Sequence, residues 1–365
     1  MSGATLVTGA DGYVGRRVVA QMLDRGQEVV LAVRANDAAE LARKRAALAG
    51  TLAGREAQAT VVPADVRDPE PFAAVDPARI TGVVHAASVV RFNVDESTAR
   101  TVNVDGARKL RHFAARCPRL GQFVLLSTIY STGRATGVVA EQPHEGAAGF
   151  VNNYEWSKWA AEAGALAGEP DLPTAIVRIA TIAADDASGA VTQLNAFHHT
   201  LRLFYYGLLS LVPGDRSTPV YLVTGDVVGD VIGQLAASRA TGIFHASPDR
   251  ACACTLQELV DIAFGVFAED DDFRRRRILA PLYCDRDSFD ALLQGTRSLG
   301  SSALGQTLDS VSPFVEQLYL GKDVRNDRLT AACPAIEFPP PAEFARAVTR
   351  WLTATRWNRR QEVAA

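Results

Sequence analysis

Thr8-Gly9-Ala10-Asp11-Gly12-Tyr13-Val14-Gly15 is the stretch that decides the fold. A short apolar run, Ala4 to Val7, precedes it. Beyond it Val14, Val18, Met22 and Leu23 recur at helical spacing until Gly26 supplies a stop. A strand, a glycine turn and a helix in that order predict the opening of a dinucleotide-binding unit. Gly9 and Gly12 let a pyrophosphate approach the backbone, Gly15 lets the helix pack close, and the helix N-terminus faces the anion. Thr8, Asp11, Tyr13 and Val14 complete the loop and are assigned to the cofactor with the three glycines.

The same alternation continues outward. Val-, Ile- and Leu-rich runs at Glu28 to Val33, Ala59 to Val62, Gly82 to His85, Gln122 to Leu126 and Thr174 to Arg178 are separated by helical patterns. This is the signature of βαβ units feeding a parallel sheet. Asp37 with Glu40 predicts a helix start, with the helix running to about Leu48. The expected class is α/β, a Rossmann-type doubly wound parallel sheet with a smaller C-terminal substrate-binding region. Residues 1–180 form the cofactor domain and residues 181–365 mainly the substrate region and tail. The strand Gly242 to Ala246 is expected to return to the first domain. Thr255 with Glu258 opens a helix through about Phe267, and a last helix follows Pro339-Pro340-Pro341 around Phe344 to Leu352.

Composition narrows the function. The 365 residues are 48% hydrophobic and 22% charged, ordinary for a soluble globular enzyme, and the formal net charge of −3 provides no basic field for nucleic acid. The five cysteines (Cys117, Cys252, Cys254, Cys284, Cys333) contain no CxxC pair and no zinc-like set, so a reduced, cytoplasmic protein without a metal site is expected. The first apolar run leaves no room for a signal peptide. Leu203 to Val212 is too short to span a membrane. Only four of the 38 Lys and Arg residues are lysines, Lys44, Lys109, Lys158 and Lys322. Each therefore invites a question that arginine could not answer.

Two further groups bear on chemistry. Where NAD-binding units commonly end the second strand with an acid, this chain has Arg34, whose guanidinium suits the 2′-phosphate of NADP(H). Arg16, directly after Gly15, is expected to assist. Asp65, with Val66, follows the third strand and is assigned to the adenine. His85-Ala86-Ala87-Ser88 ends the fourth, and Ala86, Ala87 and Ser88 suit backbone passing close to a ribose or nicotinamide. Tyr154 and Lys158 lie four positions apart on one helix face. A phenol titrates near 10, and a neighbouring ammonium favours its phenolate, tuning it for proton exchange.

Together these residues resemble an extended short-chain dehydrogenase/reductase over about residues 3 to 270. The likeness is carried by TGxxGxxG at Thr8 to Gly15, Asp65, HAAS at His85 to Ser88, Asn103-Val104-Asp105-Gly106, Ser127-Thr128 and Tyr154-xxx-Lys158. It implies that Thr128 joins Tyr154 and Lys158 in catalysis and that Asn103 supports them. Val89-Val90-Arg91-Phe92, Ser127-Thr128-Ile129-Tyr130 and Asn153 to Glu162 are similar to the fatty acyl reductase (male-sterility) and thioester reductase branch. The resemblance implies an NADPH-dependent carbonyl reductase acting on an acyl thioester or a derived aldehyde or ketone. Its acyl substrate would be free or carrier-tethered and arrive in trans, and the protein could pair as a homodimer. A nucleotide-sugar epimerase or dehydratase shares the same triad, and a non-catalytic NADP-binding regulator is the third reading. Leu203, Phe204 and Leu208, in the apolar stretch Leu201 to Leu209, are candidates for an acyl channel or for an ordinary core helix. Arg274 to Arg277 form a solvated face or a docking patch for an acidic partner.

Overall fold

Valine, leucine and isoleucine occupy both faces of the central strands, which is why those strands lie inside a layered structure and not at its surface. The computed structural model describes residues 3–168, 171–298 and 315–357. Its main sheet has seven strands, β1 (Ala4–Thr8), β2 (Glu28–Val33), β3 (Ala59–Pro63), β4 (Ile80–His85), β5 (Gln122–Thr128), β6 (Thr174–Ile179) and β7 (Gly242–Ala246). All run parallel in the order 3-2-1-4-5-6-7. Every residue of β5 and β6 is buried. β7 lies beside β6, with Gly242 opposite Ala175 and Ala246 opposite Ile179.

The period of two along each strand divides the core. Val7, Leu31, Val84, Val124 and Val177 face one side, against α1 (Tyr13–Asp24), α2 (Ala38–Leu52) and, through Val228, Ile232 and Leu235, the later helix Gly225–Ser238. Leu6, Val30, Val83, Phe123 and Ile176 face the other, against α3 (Gly106–Ala115) and α4 (Asn153–Ala167). α2 begins where Asp37 accepts the Glu40 N–H at 2.7 Å, and it continues past Leu48 because Leu52 is also buried.

Beyond β6 a second core gathers around α5 (Ala196–Tyr205), α7 (Leu256–Phe267) and α8 (Pro341–Ala354), while α6 (Gly225–Ser238) packs on the sheet. α7 opens with the reciprocal Thr255 and Glu258 cap. α8 starts at Pro341, three residues before the expected Phe344, because proline's fixed φ suits the first helical position. Arg274 and Arg275 pair with Asp271 and Asp272 on their own short helix, while the Arg276 guanidinium lies 4.6 Å from the Tyr205 ring centre. Among the described residues no helix is long and apolar enough to cross a membrane.

One buried ion pair ties the sheet to α4. The Arg178 guanidinium on β6 donates to Glu162 on α4, with Nη2 to Oε2 at 2.7 Å, and both side chains are almost wholly buried. Ser127 on β5 donates to the same carboxylate, and Arg178 also donates to the Gln142 carbonyl at 3.2 Å. Removing one partner strands a charge in the interior. Glu162→Ala should therefore lower the unfolding free energy by about 3–5 kcal/mol, measured by urea denaturation. A shift in midpoint no larger than that of an exposed Glu→Ala control would show that the pair does not hold these elements together.

Candidate functional site

The strand order reverses at β1, whose neighbours are β2 and β4, and a crevice opens at the C-terminal ends of the strands there. The glycine turn occupies it. Gly9 has φ of +63°, and a Cβ there would lie 2.7 Å from the Ala87 nitrogen. α1 starts at Gly12 with no side-chain cap and no acid in its first turn, whereas Asp37, Asn152 and Thr255 cap α2, α4 and α7. The N–H groups of Tyr13, Val14 and Gly15 precede the first full helical bonds, and these residues line the cleft. An uncapped, positive helix end facing a cleft fits a dinucleotide pyrophosphate.

The end of β4 is held from beneath. Thr8 Oγ1 lies 2.7 Å from His85 Nδ1 and accepts the Ala87 N–H at 3.3 Å. Burial, with the nearby Lys158 charge, pushes His85 down to about 3, so it is neutral. Asn103, in a widened helical turn before α3, then joins two elements. Its Oδ1 accepts from Val89 N at 2.8 Å and Ser88 Oγ at 2.9 Å, and its Nδ2 donates to Ser157 Oγ on α4 at 2.9 Å.

On α4, Asn152 caps the helix by accepting the Glu155 N–H at 2.9 Å, and Tyr154 and Lys158 follow one turn apart on the same face. Lys158 Nζ donates to the Leu126 carbonyl at 2.6 Å and lies 3.5 Å from Ser88 Oγ. Burial brings Lys158 down to about 8, against the opposing charge of Glu162. Tyr154 differs from the sequence expectation. Burial raises its pKa well above the ordinary phenol value, and a hydrogen bond with Thr128 opposes this only in part. The ammonium is directed at Leu126 and Ser88, so the phenol stays protonated. The Phe92 ring meets Tyr154 edge-on at 5.7 Å, and Tyr130 O–H lies 2.8 Å from Thr181 Oγ1.

The cleft has a volume of about 430 Å³ and brings together Gly9, Gly12, Tyr13, Val14, Gly15, Ala86, Ser88, Thr128, Tyr154 and Lys158. Six assigned residues stand outside its lining. Thr8 and Ala87 lie beneath the turn, and Asp11 is paired with Lys44 at 2.8 Å. Arg34 is exposed at the end of β2, beside the start of the loop that carries Asp65, where Ala64 N donates to the Val33 carbonyl at 2.8 Å. The Arg67 guanidinium clasps Asp65 and, with a smaller effect from Arg34, holds its carboxyl below the usual range. Val66 is buried against Gly106, and its carbonyl accepts from Lys109 Nζ at 3.1 Å.

The far wall comes from Ile182, Gln193, Asn195, Ala196 and Phe197, which sequence reasoning did not single out. The available signal was Asn195, a cap residue directly before an apolar helix. Leu203 and Leu208 do not line the cleft. Leu203 is buried in the second core, Leu208 lies beyond the end of the helix and is 49% exposed, and Phe204 is likewise a core residue. Among the described residues no cluster of His, Cys, Asp and Glu could hold a metal ion.

The profile of a family described as male sterility protein, with an NAD-binding domain, matches residues 7–232. The chain belongs to this family. This is the male-sterility family to which the sequence motifs are similar. The fold is similar to that of the terminal R domain from the myxalamid PKS-NRPS biosynthetic pathway, with 19% identity and a TM-score of 0.76 over 97% of this chain and 91% of that one. A thiolation-reductase di-domain from an archaeal non-ribosomal peptide synthetase gives 16% and 0.71, over 98% and 76%. The dTDP-glucose 4,6-dehydratase from Bacillus anthracis str. Ames, in complex with NAD, gives 14% and 0.63, over 98% of each chain. No curated protein matches the chain in sequence.

The depressed Lys158 pKa has a testable sign in this male-sterility family member. Between about 8 and 10.5 the unfolded chain keeps a proton on this lysine that the folded chain has released. Unfolding free energy should therefore rise with pH through that window. Lys158→Met should flatten the rise, as read by urea denaturation at pH 8 and at about pH 9.5. An identical slope in the variant would show that the ammonium is not depressed by burial.

Proposed function

We propose that this chain is an NADPH-dependent carbonyl reductase acting on an acyl thioester, or on an aldehyde or ketone derived from one. The carrying observation is that Thr128, Tyr154 and Lys158 meet in one cleft with the uncapped start of α1. Residues 1–180 with the strand at 242–246 hold the dinucleotide, and the region after residue 180 shapes the substrate side.

Tyr13, Val14 and Gly15 would bind the pyrophosphate through their N–H groups. Arg34 would pair with the 2′-phosphate, Asp65 and Val66 would border the adenine, and Ala86 to Ser88 with Lys158 would border the nicotinamide ribose. When bound, the reduced dinucleotide supplies hydride to the carbonyl carbon. The Thr128 and Tyr154 hydroxyls receive the carbonyl oxygen, and Tyr154 gives its proton to the oxyanion that develops. Its raised pKa supports this direction, since a phenol that is protonated at neutral pH can donate. A thioester treated this way yields a hemithioacetal, which collapses to an aldehyde and a thiol. A coenzyme A ester and a carrier-tethered thioester present the same carbonyl to this site, and the free cysteines fit a reducing cytoplasm.

NADPH consumption against a panel of acyl-CoA, aldehyde and ketone substrates, with products identified by mass, tests the reading. Tyr154→Phe should lower turnover by about 10²- to 10⁴-fold while NADPH binding stays near wild type. Full activity in that variant would overturn the mechanism.

Cofactor choice is tested separately. Arg34→Ala should weaken NADPH binding by roughly ten- to a hundredfold, the scale of one charged hydrogen-bonded contact, and leave NADH binding unchanged. A wild-type protein that binds NADH as tightly as NADPH would remove Arg34 from its role.

A further inference from the structure

Phe197 faces two spaces. It lines the cleft that holds Tyr154, and it also lines a separate cavity of about 40 Å³ behind α5. The rest of that cavity includes Phe204, Val212, Leu256, Val260 and Leu318. Thr200 also borders it, but its hydroxyl donates to the Ala196 carbonyl at 2.9 Å, so no unsatisfied polar group there calls for water. A void so lined stays dry.

The position of Phe197 is set by its neighbours. Asn195 Oδ1 accepts the Phe197 N–H at 3.0 Å, and the His198 ring accepts the Asn195 N–H at 2.9 Å while its Nε2 lies 2.8 Å from the Ala183 carbonyl. The cap thus fixes the backbone of this turn, and the side chain, only 3% exposed, forms the partition between cleft and cavity. The cleft is polar at Thr128 and Tyr154, and its far wall is apolar at Ile182, Ala196 and Phe197 and polar at Gln193 and Asn195.

We propose that Phe197 sets the length of linear acyl chain this protein accepts, and that the cavity behind it is a latent extension of the acyl subsite. The proposal rests on the reductase reading above, because it takes the carbonyl end of the chain to lie at Tyr154. A linear chain is favoured over an aromatic one by size. A void that binds benzene measures about 150 Å³, whereas this one accommodates about one or two methylene groups.

The test uses binding as well as turnover. Linear 1-alkanols of increasing length are titrated calorimetrically into the full chain, wild type and Phe197→Ala. Affinity should rise about fourfold per methylene until the chain end meets Phe197, then level off. Phe197→Ala should move that plateau by about three carbons, and adding Val260→Leu, which takes up about one methylene of the cavity, should move it back by about one. The optimum for kcat/KM across an acyl-CoA series should shift alike, with NADPH affinity unchanged. Phe197→Leu should give a smaller shift in the same direction and serves if the alanine variant fails to fold. A plateau at the wild-type length in the folded variants, or no alkanol binding in any of them, overturns the proposal. A plateau shift without NADPH consumption on any thioester, aldehyde or ketone supports the extension and overturns the reductase reading.

Discussion

Gly15 brings α1 so close to the turn after β1 that a Cβ there would lie 2.1 Å from the Gly9 carbonyl oxygen. That approach fixes where the first turn of α1 points. With no side chain at Gly12 or in the first turn to cap it, the helix leaves its N–H groups facing the crevice. Gly9 at the same time lets the end of β4 pass against the turn, and Ala86 and Ser88 are carried to the edge of the cleft. Asn103 then transmits the position of that edge to α4 through Ser157, and so to Tyr154, whose carbonyl accepts from the Ser157 hydroxyl at 2.8 Å. The cofactor side and the proton-donating side are thus linked by a short series of backbone approaches and hydrogen bonds.

The four lysines explain why arginine did not take every basic position. Lys158 places its ammonium against the Leu126 carbonyl, and Lys109 donates to three successive carbonyls, those of Val66, Arg67 and Asp68. Lys322, buried, donates to Thr132 Oγ1 at 3.0 Å and to the Gly133 carbonyl at 2.6 Å. A compact ammonium with three rotatable donors can gather carbonyls that diverge around a point, while a planar guanidinium fork cannot. Lys44 differs: it is partly exposed and neutralises Asp11 beside the glycine turn. That pairing reduces the repulsion that a free carboxylate would offer a phosphate.

The glycine turn, the strand sequence and the Tyr154 to Lys158 spacing were legible because each is local: a few residues set the conformation, and the period of the apolar pattern names the element. The far wall of the cleft was not. Gln193, Asn195 and Phe197 reach the site only because the chain after β6 folds back over the strand ends, which no local pattern encodes. Leu201 to Leu209 shows why periodicity alone is insufficient, since it marks a buried helix face without saying which core the face enters. Glu162 and Arg178 look like two ordinary charges in sequence and become a buried pair only when α4 lies on β6. Tyr154 shows the same limit in its chemistry. Counting a nearby ammonium predicts a lowered pKa, but burial has the larger effect, and burial is a property of the whole fold.

The segment after residue 315 extends this dependence to the catalytic helix itself. Gln317 donates to the Glu155 carboxylate at 2.8 Å, the residue next to Tyr154, and Lys322 sits buried close enough for its charge to oppose the upward push that burial exerts on Glu155. The strand Lys322–Val324 pairs with Gly137–Val139, just after the turn that follows β5. Glu141 then accepts from the N–H groups of His245 on β7 and of Arg328 and Leu329. Each contact couples a late part of the chain to an early one, so the start of α4 is held from both directions. Because the dinucleotide side depends on close local spacing and the substrate side on these distant returns, the second can change its lining while the first stays fixed. That division accounts for a shared sheet and glycine turn coexisting with a substrate wall that has to be read from the structure.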